Sequence, residues 1–278
     1  MAYGKSIELF LVNGTSEGIV TAELSNWNGK AIKIPRAEVA SCNRDDIKGV
    51  GIYFLFCEEN IEEPAVYIGE AENVLDRLNQ HLRDNRAGKE NYYWNTAVAF
   101  IGRDLNKALI RYLENRLVEI TRDTGKYTLL TKNTYKNTVL KESQIASMEE
   151  FIDNIKVLIS ALNYKVLTPT QKPTDSTVYL YCKGRSGADA KGFVTSGGFT
   201  ILQGSSISES VVDSFETRGK GYYNLRNRLI KEGVIKEGIF TKDYEFSAPS
   251  AASAVVLGHN SNGNTDWKTE NGVRLKDL

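Results

Sequence analysis

A chain of 278 residues with 41% hydrophobic, 25% charged and 10% aromatic side chains can build one or two packed domains and is too apolar for bulk disorder. No apolar run nears the roughly 18 residues that span a bilayer, and MAYGKSIELFLVNGT lacks the pattern of an export signal, so no membrane partner and a cytoplasmic address are expected. Thirty-five basic side chains balance thirty-five acidic ones, so an anionic partner must be held by local charge, while two histidines and three scattered cysteines exclude His-rich and Cys-paired metal sites.

Residues 6–12 and 18–24 read as strands joined by NGTSEG, whose Asn13-Gly14 is turn chemistry; a β extension over residues 1–47 opens the chain. Residues 51–57 and 65–69 are β-branched and aromatic runs around a glutamate-rich hairpin tip. Residues 71–84 place Val74, Leu75, Leu78 and Leu82 on one helical stripe, and residues 97–101 form a short third strand. Residues 104–121 are the most regular helix, with Leu105, Leu109, Leu113, Leu117 and Ile120 on its apolar side. A helix over 145–162 closes this half. TPTQKPTDST, containing Pro169 and Pro173, marks a linker over 168–177. Beyond it VYLYCKG, AKGFVTSGG and FTILQGS read as strands, residues 222–231 as a helix capped by Gly233, and residues 249–257 as a small-residue helix started by Ser247 or Ser250 and stopped at Gly258. The fold class is α+β in both halves, a small antiparallel sheet flanked by helices and then a second α+β domain over 178–278.

Charge is uneven locally: residues 103–141 hold nine basic and four acidic side chains, whereas residues 58–76 hold seven acidic and no basic ones. These are either two solvated patches or two functional ones. Arg77 and His81, four apart, project from one edge of their helix, as either an exposed pair near Asp84 or part of a site. Glu114 carries more information. Its helical neighbours are Ile110, Leu113, Leu117 and Val118, whereas Glu119 is surrounded by Asn115, Arg116, Arg122 and Asp123 and reads as solvated. A carboxylate on an apolar flank must pair with a cation, bind a metal or take up a proton, so Glu114 needs either Arg77 or a metal.

Tyr53 and Tyr67 stand in Gly51-Ile52-Tyr53 and Tyr67-Ile68-Gly69 on the hairpin strands. With Arg77 and His81 in VLDRLNQH, and Glu114 in LENRLVE, this succession resembles the GIY-YIG nuclease module over roughly residues 48–140, within a catalytic region that reaches to 167. The resemblance implies phosphodiester hydrolysis with one divalent cation, Mg²⁺ or Mn²⁺. It implies Tyr53 as general base, Tyr67 on the phosphate or nucleophile, Arg77 on developing phosphoryl charge, His81 on the water or sharing the base role, and Glu114 as the only protein ligand of the cation. The family asparagine falls best on Asn133, with Asn137 second. Lys107, Arg111, Arg122 and Lys132, together with Arg103, Lys126 and Lys136, would line a DNA phosphate track, with the acidic 58–72 segment facing away.

The region from about Val178, most clearly DYEFSAPSAASAVVLG and NGNTDWK, resembles the domain of unknown function that trails GIY-YIG modules and is similar to the RAMA type, proposed to read modified DNA. Arg218, Lys220, Arg226, Arg228, Lys231 and Trp267 are its candidate DNA contacts, against the alternative of a buried tryptophan and a solvated basic helix. His259 reads as a turn residue. The expected function is a metal-dependent DNA endonuclease with a targeting or regulatory C-terminal domain. Its rivals are a non-cleaving nucleic-acid-binding protein of the same fold and a subunit of a defence or repair complex that needs a protein partner.

Overall fold

The computed structural model describes residues 3–57, 64–132 and 139–278. The chain divides into two compact units, Met1–Thr168 and Pro169–Leu278.

In the first unit the elements run β1 (Ile7–Leu11), β2 (Val20–Leu24), β3 (Gly29–Pro35), α1 (Arg36–Val39), β4 (Gly51–Cys57), β5 (Ala65–Ala71), α2 (Val74–Arg86), β6 (Thr96–Gly102), α3 (Lys107–Thr124), β7 (Thr128–Leu129) and α4 (Glu142–Ala161). One seven-stranded sheet has the order β1-β2-β3-β6-β4-β5-β7. Its pairs are antiparallel except β5 with β7. Strand β3, which the sequence pattern does not announce, pairs with β6 from Gly29 opposite Gly102 to Pro35 opposite Thr96, so the opening strands extend the same sheet. Its residues alternate poorly because both faces are covered: Ala31 packs into one core while Ile32 and Ile34 pack into the other.

Each face carries its own core. Ile52, Phe54, Phe56, Val66, Ile68 and Phe100 meet the apolar stripes of α3 and α4 on one side. Tyr53, Leu55, Ala71, Ala97 and Ala99 meet Val74, Leu75, Leu78 and Leu82 of α2 on the other. Period-two alternation along β4 thus sends odd and even residues to different helices. Asn73 caps α2, accepting from the Asp76 amide at 3.2 Å. Asn106 caps α3, accepting from the amides of Ala108 and Leu109 at 3.0 and 3.2 Å, and α3 ends at Gly125 in the left-handed region.

The second unit holds a four-stranded sheet, β8 (Leu180–Lys183), β9 (Asp189–Thr195), β10 (Gly198–Ile201) and β13 (Tyr244–Phe246), in the order β13-β10-β9-β8, and a hairpin of β11 (Ile235–Lys236) and β12 (Ile239–Phe240). Helices α5 (Asp213–Arg218), α6 (Lys220–Lys231), α7 (Pro249–Leu257) and α8 (Gly263–Asp266) complete it. The small residues of α7 let it pack closely against the sheet, and Gly258 stops it at φ 71°. At its start Ala248 offers no side-chain cap, and Pro249 supplies the first-turn geometry instead of either serine. Two candidate DNA contacts prove structural. Trp267 is fully buried against Phe199 and its indole N–H donates to the Pro249 carbonyl at 2.9 Å. Arg226 is buried and its guanidinium donates to the carbonyls of Val255 and Ser208, so neither side chain is presented to a ligand. His259 bonds the Asn260 carbonyl in an exposed turn. Cys42, Cys57 and Cys182 form no disulfide with one another. Among the described residues no helix is long and apolar enough to cross a membrane.

Candidate active site

The antiparallel register of β4 and β5 places Tyr53 opposite Gly69. Both phenols point to the α2 face, with ring centroids 6.2 Å apart. Gly69 is a spatial requirement: a Cβ there would stand 2.4 Å from the Tyr53 hydroxyl and 2.8 Å from the Tyr67 ring. Helix α2 crosses above and delivers Arg77 and His81, one turn apart, onto the phenols. Arg77 Nε donates to the Tyr53 oxygen at 3.3 Å, and the Tyr53 hydroxyl lies 2.9 Å from His81 Nε2. On its far side His81 Nδ1 contacts Glu90 Oε1 at 2.6 Å, a partner outside the helix.

Burial dominates the electrostatics on this face. Tyr53 is fully buried, which raises its pKa well above that of a free phenol despite the opposing Arg77 charge. Tyr67, half-buried, is raised for the same reason. Burial and the Arg77 charge hold His81 down to about 4, so the imidazole is neutral near pH 7. Glu90 is raised by burial and by the charge of Asp84.

Glu114 comes from the other face. Helix α3 packs against β4 and β5, and Glu114 on its flank reaches the cleft that Tyr53, Tyr67 and Arg77 line. Glu114 is 5% exposed, and its Oε2 is buried without a hydrogen-bond partner among the described residues. Burial, reinforced by the charge of Glu70, lifts its pKa to about 7 against the pull of Lys107, Arg111 and Arg77. A salt bridge to Arg77 is therefore not its solution; that guanidinium is turned to the phenols.

One expectation needs correction. The acidic segment does not face away: Glu70 and Glu72 line the cleft, while residues 58–63 lie outside the described residues. Lys107 is held by this acid, with Nζ 2.9 Å from Glu70 and 3.9 Å from Glu72. A lysine in the first turn of α3 opposes the helix dipole, and Glu70 offsets that cost. Glu114 accordingly has a second carboxylate for a neighbour. Among the described residues no cluster of three or more His, Cys, Asp or Glu side chains forms a ready-made cage. The donor set is one or two carboxylates, and a buried, unpartnered carboxylate oxygen suits a hard divalent ion that keeps most of its water.

The cleft, about 770 Å³, gathers Tyr53, Tyr67, Arg77 and Glu114 but not His81, which sits beneath them with 1% of its surface exposed. Of the basic residues read as a phosphate track, Lys107 lines the cleft and half-buried Arg111 stands close enough to influence Glu114. Arg122, two turns beyond Glu114, is exposed, as are Arg103 and Lys132, and Lys126 is half-buried; among the described residues none of these four lines the cleft. Asn133, Asn137 and Lys136 lie outside the described residues. Arg83 is a cleft cation that the sequence reading missed, although Asp76, Gln80 and Arg83 follow the helical i, i+4, i+7 spacing and line the cleft together. Glu70 carried a signal too, directly after Gly69. Glu90 carried none, lying on an irregular segment.

Comparison with known families gives two matches. Residues 49–128 match the GIY-YIG catalytic domain, and residues 180–278 match a domain of unknown function, DUF4357. No curated protein and no solved structure matches the chain.

Proposed function

Because this chain carries a GIY-YIG catalytic domain, the mark of a nuclease, we propose that it is a divalent-metal-dependent DNA endonuclease. The observation that carries the reading is Glu114: a buried carboxylate oxygen without a hydrogen-bond partner among the described residues, flanked by Glu70 and sharing one cleft with Tyr53, Tyr67 and Arg77.

Glu114, with Glu70 beside it, would hold Mg²⁺ or Mn²⁺, which when bound would neutralise phosphate charge and assist departure of the leaving oxygen. The protein's own groups do the rest. Arg77 sets a planar guanidinium against the scissile phosphate while anchoring Tyr53. Tyr67, at the cleft wall, hydrogen-bonds the phosphate or the attacking water. Tyr53 is too weak an acid to exist as phenolate at rest. It relays instead: as it takes a proton from the water, its own passes to the neutral His81 Nε2, 2.9 Å away. Lys107, Arg111 and Arg83 are the nearest cations for flanking phosphates, with Arg122 and Lys132 further along the same strand path. Asn133 remains the candidate for the family asparagine. The C-terminal domain would target or regulate the cut, with Arg218, Lys220 and Lys231 as its exposed cations. Three cysteines without a disulfide among them suit a reducing compartment, in keeping with a cytoplasmic address.

The experiment is nicking of supercoiled plasmid and cleavage of short single-stranded and branched DNAs with Mg²⁺, Mn²⁺ or EDTA. Metal-dependent cleavage that disappears in Glu114→Ala and Arg77→Ala, with both variants folded, is the expected result. DNA binding without cleavage on every substrate would establish the non-cleaving rival. Cleavage only with an added protein of a defence or repair complex would establish the partner-dependent one.

A further inference from the structure

We infer that Glu90 is a positioning residue that holds His81 in the tautomer whose bare Nε2 faces the Tyr53 hydroxyl. This deepens the nuclease reading and rests on it. Glu90 belongs to neither the helix nor the strands that supply the cleft. It lies on the segment between α2 and β6, pinned back on the helix end by Asn85, whose amide donates to the carbonyls of Glu90 and Tyr92 at 3.3 and 3.0 Å. From there its carboxyl reaches His81 Nδ1 at 2.6 Å. The Tyr92 side chain also bonds this carboxyl group, while its Oε2 is buried with no hydrogen-bond partner among the described residues. At 1% exposure, His81 is not left to water to set its tautomer.

Proton counting discriminates between two arrangements. In the first, Arg77 Nε–H donates to the Tyr53 oxygen, Tyr53 O–H donates to Nε2, and Nδ1–H donates to an ionised Glu90; each of these three contacts holds one proton, while Tyr67, which also bonds Tyr53 and Arg77, is not an imidazole partner in either arrangement. In the second, a protonated Glu90 donates to Nδ1, and Nε2–H then donates to a Tyr53 oxygen that Arg77 already serves. The imidazole would have no lone pair free for a further proton, and the relay would be blocked. An ionised Glu90 enforces the first. During attack the water oxygen forms its bond to phosphorus and the P–O bond to the leaving oxygen breaks. The water's proton passes to Tyr53, the phenolic proton passes to Nε2, and the resulting imidazolium lies against the Glu90 carboxylate. The leaving oxygen takes its proton from solvent. This is the orienting logic of a carboxylate behind a general-base histidine.

The chain has only two histidines, so a ¹⁵N-histidine spectrum of the full-length, metal-free protein shows two rings, and His259→Gln identifies the one that remains. At pH 7.5 the His81 ring is expected to show a protonated Nδ1 and a bare Nε2. That pattern should persist in Tyr53→Phe, which removes the opposite partner, and should reverse or become mixed in Glu90→Gln. In the cleavage assay Glu90→Gln should lower kcat by about 10²–10⁴-fold with KM little changed, the scale seen when a histidine base is left in the wrong tautomer. A wild-type ring protonated at Nε2, or a tautomer that relaxes in Tyr53→Phe, would overturn the assignment; so would a Glu90→Gln protein whose ring stays unchanged. The Tyr53→Phe arm decides the question even if Glu90→Gln fails to fold. A ring that behaves as stated in a protein that cuts no DNA would sink the nuclease reading while leaving the tautomer assignment standing.

Discussion

Replacing Glu114 with glutamine should stabilise the metal-free protein, and more so at alkaline pH. The glutamine has the same shape but no charge to desolvate. Burial lifts the Glu114 pKa to about 7 from an ordinary 4.5. Two and a half units at about 1.36 kcal/mol each put the penalty on the ionised form near 3 kcal/mol. Between pH 4.5 and 7 the folded chain keeps this proton while the unfolded chain releases it, so stability falls as pH rises through that window and stays lowered above it. His81 works in the opposite sense: with its folded pKa near 4, its contribution is lost as pH falls below about 6.5. Because the variant retains His81, that contribution cancels in the difference between variant and wild type. Thermal melts in EDTA should therefore show nearly equal midpoints at pH 4.5 and a glutamine advantage of roughly 6–12 °C at pH 8 for a unit of this size. Added Mg²⁺ or Mn²⁺ should close that gap by stabilising the wild type alone. A gap of equal size at both pH values, or a cation that stabilises both proteins alike, would refute the idea that this carboxylate is desolvated and awaits a positive charge.

Three further outcomes follow. Gly69→Ala places a methyl group 2.4 Å from the Tyr53 hydroxyl, so DNA cleavage should drop by about 10²-fold or more while the protein loses only about 1–3 kcal/mol to overpacking; wild-type turnover would contradict the proposed role of Tyr53. Arg77→Lys should fail to restore cleavage lost in Arg77→Ala, since an ammonium cannot hold the Tyr53 oxygen and a phosphate with one planar group; single-turnover assays of both variants test this. Arg226→Ala strands the buried carbonyls of Val255 and Ser208 and should destabilise the second unit by about 2–4 kcal/mol, whereas the same change at exposed Lys220 should cost under about 0.5 kcal/mol; urea melts of the full chain resolve the two.

Much of this is legible in the sequence. Helix α3 announced itself through an uninterrupted leucine stripe, and the contrast between the flanks of Glu114 and Glu119 correctly marked Glu114 as buried and in need of a partner. The β-branched and aromatic runs over 51–57 and 65–69 announced both hairpin strands. What stayed hidden had physical reasons. Strand β3 is covered on both faces, so its pattern lacks the alternation that a half-exposed strand displays. The charge on Arg226 reads as surface, because sequence does not reveal two carbonyls waiting to receive a buried guanidinium. The pairing of Lys107 with Glu70 was hidden because the two are thirty-seven positions apart and meet only through the packing of β5 against α3. Glu90 sits where no periodicity exists, and its importance is a matter of where one loop happens to land.

The acid and the phenols of this cleft are embedded in different hydrophobic layers, one behind α3 and one behind α2, with the central strands β3, β4, β5 and β6 contributing to both. The proposed catalytic apparatus is therefore not portable as a loop or a helix. A graft that carried the tyrosine hairpin and its arginine helix into another protein would bring the relay without the carboxylate, and one that carried α3 would bring the carboxylate without the relay. The smallest transplantable piece includes both layers and the strands between them.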